Sequence, residues 1–338
     1  MDEQSKHRKT RSTALSDLMT YLDEDMTSGQ VARQAPIGTG FKALDETIGG
    51  GFKPGDLVIL AGPPGVGKTI VALQWARNVA AGGARAIYVC YEHDEAMLMQ
   101  RLLAQECGRV DPAHPIRDLP ERIRQGSREG KGMRDAFAED AVVQQALNNM
   151  EDYAARLLLV RASGAHTALE NLDDLVFRYK DDELNTVLFV DYLQKVAMHP
   201  EPDNEGEKVT RLVEGLKDMA LTHELPIVAI SAVGLVGMDA ARLRLHHLRG
   251  SSALGFESDV VVMLNEKMKA VSRVHLAYDS TAEKRFREQV IFSVEKNRNG
   301  QNLVDLEFRK DFRHFRYHED GSLVTERLVS ERLDEASV

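Results

Sequence analysis

Short, unbroken apolar runs recur along the chain: Leu57-Val58-Ile59-Leu60-Ala61, Ala86-Ile87-Tyr88-Val89-Cys90, Leu157-Leu158-Leu159-Val160, Val187-Leu188-Phe189-Val190, Ile227-Val228-Ala229-Ile230-Ser231 and Val260-Val261-Val262-Met263-Leu264. Each has strand length and none alternates with polar residues, so each predicts a strand buried on both faces. Between them the spacing becomes helical. Val71, Ala72, Trp75, Ala76 and Val79 mark one helix, and further helices are predicted over 95–107, 169–179 and 205–223. Strands alternating with helices predict an α/β fold, a mostly parallel sheet flanked by helices. Ligands in such sheets bind at the carboxyl ends of the strands.

The last third changes character. Residues 274–278, 290–295 and 303–308 alternate as antiparallel strands do, a C-terminal β extension, and Asn299-Gly300 predicts a hairpin turn. At the other end, Leu15, Leu18, Met19 and Leu22 fall at i, i+3, i+4 and i+7. That is one apolar stripe on a short helix, which Ser12 or Thr13 is placed to cap. Residues 26–36 read as a linker. Residues 108–155 are polar and helical in pattern, broken at first by Pro112, Pro115 and Pro120, and read as an insertion on the sheet rim. The expected organisation is a tail and short linker-type helix over 1–35, one α/β domain over 36–318 carrying the 108–155 insertion, and an acidic tail over 319–338. A weak amphipathic helix is predicted in that tail around Leu328 and Leu333.

The first strand opens into Gly62-Pro63-Pro64-Gly65-Val66-Gly67-Lys68-Thr69, which fits G-x-x-x-x-G-K-[ST], the phosphate-binding P-loop. Strand, glycine loop, helix is the context that motif requires. Glycines let backbone N–H groups curl around phosphate oxygens, and the new helix aims its positive end at the same anion. We expect Gly62, Pro63, Pro64, Gly65, Val66, Gly67, Lys68, Thr69 and Ile70 to hold the nucleotide. Lys68 supplies a point charge to the β- and γ-phosphates, and Thr69 a hydroxyl to Mg²⁺. Asp191, at the end of its apolar run, is expected to hold the same ion or its water. Glu92 ends the strand that we place beside the P-loop strand, where a carboxylate polarises the attacking water. His93, Asp94 and Glu95 read as the polar start of the next helix.

The 338 residues carry a net charge of −10, which argues against a protein coated in nucleic acid but allows a narrow basic channel. Lys6, Arg8, Lys9 and Arg11 read as a solvated tail. Cys90 and Cys107 are too few for a disulfide scaffold and show no zinc spacing, so buried thiols in a reducing cytoplasm are expected. The Met-Asp-Glu-Gln start leads us to expect no apolar leader, and no apolar run approaches the ~20 residues of a membrane span. A soluble, cytoplasmic protein is expected.

Longer blocks carry a family resemblance. Tyr88-Val89-Cys90-Tyr91-Glu92, followed by Met97 to Arg101, resembles the second-strand motif of the DnaB-type replicative helicases. Asp191-Tyr192-Leu193-Gln194 resembles their Walker B signature. Leu248-Arg249-Gly250-Ser251-Ser252, then Ser258-Asp259-Val260-Val261, resembles their DNA-loop motif and the strand after it. Glu295-Lys296-Asn297-Arg298-Asn299-Gly300 resembles their Lys-x-Arg-Asn-Gly hairpin. The blocks follow family order over about residues 35–315. The resemblance implies a RecA-like P-loop ATPase that binds ATP and Mg²⁺ and assembles as a homo-oligomeric ring, a hexamer, around single-stranded DNA. It implies Lys68 and Glu92 as catalytic residues in one subunit. Lys296 and Arg298 become fingers that reach a neighbour's ATP, a role served by residues two apart on a strand, which point to the same side. It implies Arg249, Gly250 and Ser252 as DNA-loop residues, with Arg249 on a phosphate. The helix at Leu15–Leu22 stands where the family's linker helix packs on the adjacent subunit. Replication or regulatory proteins are the implied further partners.

The sequence also departs from that pattern. We expect no counterpart of the family's N-terminal helical domain, because about 35 residues precede the motor. The family's Ser-Gln after the fourth strand is Ser231-Ala232 here, and Gly250 and Ser252 replace the Glu and Gly often found beside the DNA-loop arginine. The stretch from Leu44-Asp45-Glu46 to Gly49-Gly50-Gly51-Phe52 resembles the KaiC-like ATPases, which act on proteins or as regulators. Their second catalytic Glu is missing, since His93 follows Glu92. A KaiC-like regulatory ATPase acting on protein partners is therefore the alternative reading. A nucleotide-binding scaffold with little turnover is a third, and Glu92, Lys296 and Arg298 speak against it.

Overall fold

The computed structural model describes residues 13–28, 35–180, 184–271 and 280–329. The chain divides between Ala35 and Pro36 into two units. The first holds helix α1, Leu15–Ser28, whose Leu15, Leu18, Met19, Leu22 and Met26 are all exposed. The expected linker begins later than residue 26 because the last turn is closed by side chains. Thr27 and Ser28 donate hydroxyl bonds to the carbonyls of Asp23 and Asp25 at 2.7 and 3.1 Å.

The second unit opens with α2 (Lys42–Thr47), β1 (Leu57–Ala61), α3 (Lys68–Ala81), β2 (Arg85–Cys90) and α4 (Glu95–Val110). The inserted helices α5 (Leu119–Arg128), α6 (Met133–Ala136) and α7 (Ala141–Glu151) follow. Then come β3 (Leu157–Arg161), α8 (Leu169–Tyr179), β4 (Thr186–Asp191), α9 (Glu205–His223), β5 (Ile227–Ser231), α10 (Leu235–Asp239) and α11 (Ala253–Glu257). The chain continues through β6 (Val260–Glu266), α12 (Lys267–Ala270), α13 (Ser280–Arg287), β7 (Gln289–Asn297), β8 (Val304–Asp311), β9 (Arg316–Tyr317) and β10 (Ser322–Leu323).

These strands form one sheet in the order β10-β8-β7-β6-β1-β5-β4-β2-β3, with β9 added to β8. The stretch from β6 to β3 is parallel, and β6-β7, β7-β8 and β8-β10 are antiparallel. The placement of β2 beside the P-loop strand is corrected. Both edges of β1 are taken, Leu57 opposite Ile227 and Val58 opposite Val260, so β5 and β4 stand between β1 and β2. Apolar runs fix that strands are central but not which strands are neighbours.

Both faces of the sheet are covered, which is why the strands are apolar without alternation. One face packs Trp75 of α3 against Phe41, Phe52 and Phe292, edge to face, with ring centroids 5.6–6.4 Å apart. The other face buries Leu172 and Val176 of α8 and Leu212, Val213 and Leu216 of α9. Each such side chain contributes roughly 1.5–3 kcal/mol of burial energy. The helices start at side-chain caps: Asp94, Asp140 and Asn204 accept from the backbone N–H groups of Met97, Val143 and Glu207. In the insertion, Pro120 does not break a helix but lies in the first turn of α5, where its missing N–H costs nothing. That helix group packs on α4 through Leu103, Cys107, Phe137, Val143 and Ala146. Both cysteines are buried and free.

The C-terminal third departs from expectation in three places. The hairpin expected at Asn299-Gly300 forms, β7 pairing antiparallel with β8, but β7 runs on to Asn297 and residues 298–303 make a longer connection than a two-residue turn. The left-handed residue of that connection is Leu303, φ 59°. The loop is set instead by side chains: Asn297 Nδ2 donates to the Thr47 carbonyl at 2.9 Å and Asn299 Nδ2 to Asp56 at 2.8 Å. Second, the described residues past 318, up to 329, stay on the body. Glu319 accepts from Gln74, Asn78 and Arg109, and β10 extends the sheet. Third, Leu328 is extended and paired with Val271 rather than helical, and Glu326 beside it is held by buried Lys267 at 2.8 Å. The basic cluster at 6–11, Ser12, the strand expected at 274–278 and Leu333 lie outside the described residues.

Candidate active site

The P-loop turns between the end of β1 and the start of α3. Gly67 precedes α3 with φ 95°, a backbone state L side chains rarely adopt. A Cβ there would lie 2.5 Å from the Tyr317 hydroxyl oxygen and 2.9 Å from the Phe312 ring. Tyr317 donates its hydroxyl to the Val66 carbonyl. Gln74 of α3 holds the Tyr317 backbone from both sides, accepting from its N–H at 2.8 Å and donating to its carbonyl at 2.9 Å. β9 thus braces the P-loop from below. Nothing in the local sequence signals this brace, because Gln74 and Tyr317 lie 243 positions apart.

A cavity of about 480 Å³ opens above the loop, a size that admits a nucleotide. Gly62, Pro64, Gly65, Gly67, Lys68, Thr69, Ile70, Glu92, Asp191 and Arg249 all line it. His93, Arg101, Tyr192 and Ala232 line it too. Two expected nucleotide residues do not line it. Val66 turns its side chain into the core, 2% exposed, and Pro63 contributes its carbonyl to Lys68. The Lys68 ammonium donates to the Gly62 and Pro63 carbonyls at 2.9 and 3.1 Å. Burial pushes its pKa down, and the Asp191 and Glu92 carboxylates oppose that shift.

Asp191 is buried at the carboxyl end of β4 and accepts from the Tyr88 hydroxyl at 2.8 Å. Burial raises its pKa, while Tyr88, the neighbouring Thr69 hydroxyl and Lys68 pull it back. Tyr88 is a site residue that the strand pattern hid: its ring packs on Phe189 as any core residue would. Cys90 shapes the turn at Glu92 by accepting from the His93 backbone N–H at 3.4 Å. Burial and nearby Asp191 push its thiol up to about 11, so it stays protonated and unreactive near neutral pH. Among the described residues no three His, Cys, Asp or Glu side chains cluster as a metal cage. The Thr69 hydroxyl beside one carboxylate fits Mg²⁺, which keeps its waters and takes one or two carboxylates plus phosphate oxygens.

The remaining candidates stand apart. Lys296 Nζ donates to the carbonyls of Gly255, Phe256 and Ser258, at 2.8, 3.0 and 2.5 Å. Arg298 donates to the Phe256 carbonyl at 2.7 Å and pairs with Asp259 at 3.1 Å. The two cations meet at the end of α11, and neither lines the cavity of its own chain. Arg249 pairs with Glu205 at 2.9 Å. Gly250 has φ 110°, and a Cβ there would lie 2.6 Å from Val209, so backbone and packing account for this glycine. Ser252 is exposed at the start of α11.

A P-loop after a central parallel strand, with carboxylates at the ends of two further parallel strands of the same sheet and helices on both faces, defines a RecA-like P-loop nucleotide-binding domain. The profile of the DnaB-like helicase C terminal domain matches residues 36–317, and the chain belongs to that family. It is 28% identical over 281 residues to the replicative DNA helicase DnaB of Treponema pallidum (strain Nichols), covering 82% of this chain and 55% of that protein. It is 25% identical over 303 residues to the replicative DNA helicase DnaC of Bacillus subtilis (strain 168), covering 88% of this chain and 60% of that protein. The chain thus spans little more than half the length of these relatives. Among solved structures, the ATPase Domain of G40P matches with a TM-score of 0.71 at 17% identity, over 91% of this chain and 99% of that one. No helix among the described residues is long and apolar enough to cross a membrane.

Proposed function

We propose that this chain is an ATP-hydrolysing DNA motor of the DnaB helicase class, working in the cytoplasm as a homo-oligomeric ring, a hexamer, on single-stranded DNA. The observation that carries the reading is the division of the chemistry. Lys68, Thr69, Glu92 and Asp191 converge on one cavity, while Lys296 and Arg298 sit together outside it. One subunit then supplies the triphosphate cradle and its neighbour the two cations. Lys68 and the P-loop amides orient the β- and γ-phosphates, and Glu92 takes the proton of the attacking water. Mg²⁺ held at Thr69 and Asp191 would neutralise phosphate charge. Lys296 and Arg298 of the adjacent copy would stabilise the charge that develops at the γ-phosphate. Arg249 would meet a DNA phosphate as a contact without sequence information. Helix α1, with its exposed apolar stripe, would dock on the next subunit. Replication proteins are the expected partners of such a ring.

The test is ATP hydrolysis with and without single-stranded DNA, alongside displacement of a labelled strand from a forked duplex. Stimulated hydrolysis with ATP-dependent displacement is the expected result, and the absence of both defeats the motor reading. The second reading is a KaiC-like regulatory ATPase whose ATP-driven assembly acts on protein partners. Ala232 and the pairing of Arg249 with Glu205 favour it, since both weaken a direct path from ATP to DNA. In that case hydrolysis ignores DNA, and nucleotide alone changes the oligomeric state.

A further inference from the structure

We propose that Gln194 is the positioning residue that transmits the state of the nucleotide cavity to the Arg249 loop, an inference that rests on the motor reading above. Gln194 follows Asp191 and Tyr192, both of which line the cavity. Its amide makes three hydrogen bonds to two segments of chain, the end of β5 and the Arg249 loop. The Oε1 atom accepts from the Ala232 backbone N–H at 3.2 Å. The Nε2 atom donates to the Ser231 hydroxyl at 2.9 Å and to the Arg249 carbonyl at 3.3 Å. The loop is also tied directly to the end of β5: the Arg249 N–H donates to the Ala232 carbonyl at 3.1 Å, and the Gly234 N–H to the His247 carbonyl at 2.8 Å.

Ala232 lines the cavity and offers the loop only backbone atoms. Gln194 is therefore the side chain that joins the ends of β4 and β5 to Arg249. The chemistry selects glutamine. The three contacts need one acceptor and two donor hydrogens, which one primary amide provides. Glutamate keeps the acceptor and loses both donors, and leucine keeps the shape and loses all three. A displacement of Tyr192 or Ala232 by phosphate is carried to the Arg249 carbonyl through this amide. The Arg249 guanidinium, now on Glu205, moves with it.

The test uses the full chain with Gln194→Leu and Gln194→Glu, and thermal unfolding as the folding control. If the leucine variant does not fold, the glutamate variant carries the test. The first arm needs no DNA: amide hydrogen exchange of residues 245–252 with Mg-ADP and with a non-hydrolysable Mg-ATP analogue. The second measures affinity for a fluorescent oligo-dT in the same two nucleotide states. In the wild type the two nucleotides are expected to give different exchange, and affinities that differ by about fivefold or more. In the variants exchange rises and no longer depends on nucleotide, and the affinity ratio falls to within about twofold. The ratio of DNA-stimulated to basal turnover falls with it. Variants that keep both wild-type responses overturn the proposal, as does a wild-type loop whose exchange ignores nucleotide. If the wild type binds no oligo-dT in either state, the DNA reading fails and the exchange arm alone decides the coupling. Loss of the nucleotide response in the variants then upholds it, and retention overturns it.

Discussion

Replacing Asp56 with asparagine is expected to stabilise this protein above pH 7 and to leave it unchanged near pH 4. Asp56 stands just before β1, half-buried, and accepts from Asn299 Nδ2 at 2.8 Å. Burial and the nearby Asp259 carboxylate push its pKa from 3.8 up to about 6, against the pull of Lys217 and Lys53. A carboxyl whose pKa is raised on folding is favoured in its neutral form. Its contribution is complete below the unfolded value of 3.8 and is lost as pH rises through about 6. A shift of roughly two units converts to about 3 kcal/mol at full strength. Asp56 keeps partial access to water, and screening reduces the expected effect to about 1 kcal/mol. Asparagine has the same size, carries no charge, and still offers an oxygen to Asn299. The assay is urea unfolding of wild type and Asp56→Asn at pH 4, 5, 6, 7 and 8. Trp75, the single tryptophan and fully buried, reports the transition by fluorescence. The variant is expected to gain about 1 kcal/mol at pH 8 and almost nothing at pH 4, with the change developing between the unfolded value of 3.8 and about 6. A gain that does not vary with pH, or a loss at pH 8, refutes the assignment of a strained carboxylate here.

Three further outcomes test the chemistry. Glu92→Gln is expected to cut hydrolysis at least about 100-fold while nucleotide affinity, read by equilibrium dialysis, stays within a few-fold; unchanged turnover removes Glu92 from the reaction. The double variant Lys296→Ala, Arg298→Ala is expected to lose about 1,000-fold or more in turnover. Mixed into wild-type oligomers it should depress the rate faster than simple dilution, and a linear dilution curve denies that the cations act between chains. Glu205→Gln frees the Arg249 guanidinium, so oligo-dT affinity at low salt is expected to rise about two- to fivefold with a steeper salt dependence; an unchanged salt slope shows that Arg249 meets no phosphate.

The elements themselves were legible because their physics is local. A continuous apolar run reads as a strand covered on both faces, and a glycine loop between strand and helix reads as a phosphate cradle. Lys68, Glu92 and Asp191 were legible for the same reason, each standing at the carboxyl end of such a run or just beyond it. What the pattern does not encode is adjacency. β2 reads as the neighbour of β1 along the chain, yet β5 and β4 take the space between them. Tyr88 reads as core and is also the partner of Asp191; Tyr317, held by Gln74 from 243 positions away, is the floor of the P-loop. Asn299-Gly300 reads as a tight turn, but Asp56, Thr47 and Asp259 hold the loop open from the outside. In each case a contact far away in sequence overrides a local preference.

The same distant contacts bear on where the cations of the hairpin act. Asp259 accepts from the Leu57 N–H at 2.7 Å and from Lys217 Nζ at 2.7 Å, and pairs with Arg298 at 3.1 Å. Leu57 is the first residue of β1, and the P-loop leaves β1 after Ala61, its last. A strand of that length spans about 16 Å at roughly 3.3 Å per residue. Arg298 is therefore anchored at the amino end of the strand whose carboxyl end carries the phosphate cradle. Its side chain is held there by Asp259 and the Phe256 carbonyl. A guanidinium held there serves a phosphate only when another copy brings one to it. The carboxylate that anchors Arg298 also sets the height of β1 in the sheet. Removing Asp259 is therefore expected to loosen the start of β1 as well as Arg298, which is why the mixing experiment targets Lys296 and Arg298 rather than Asp259.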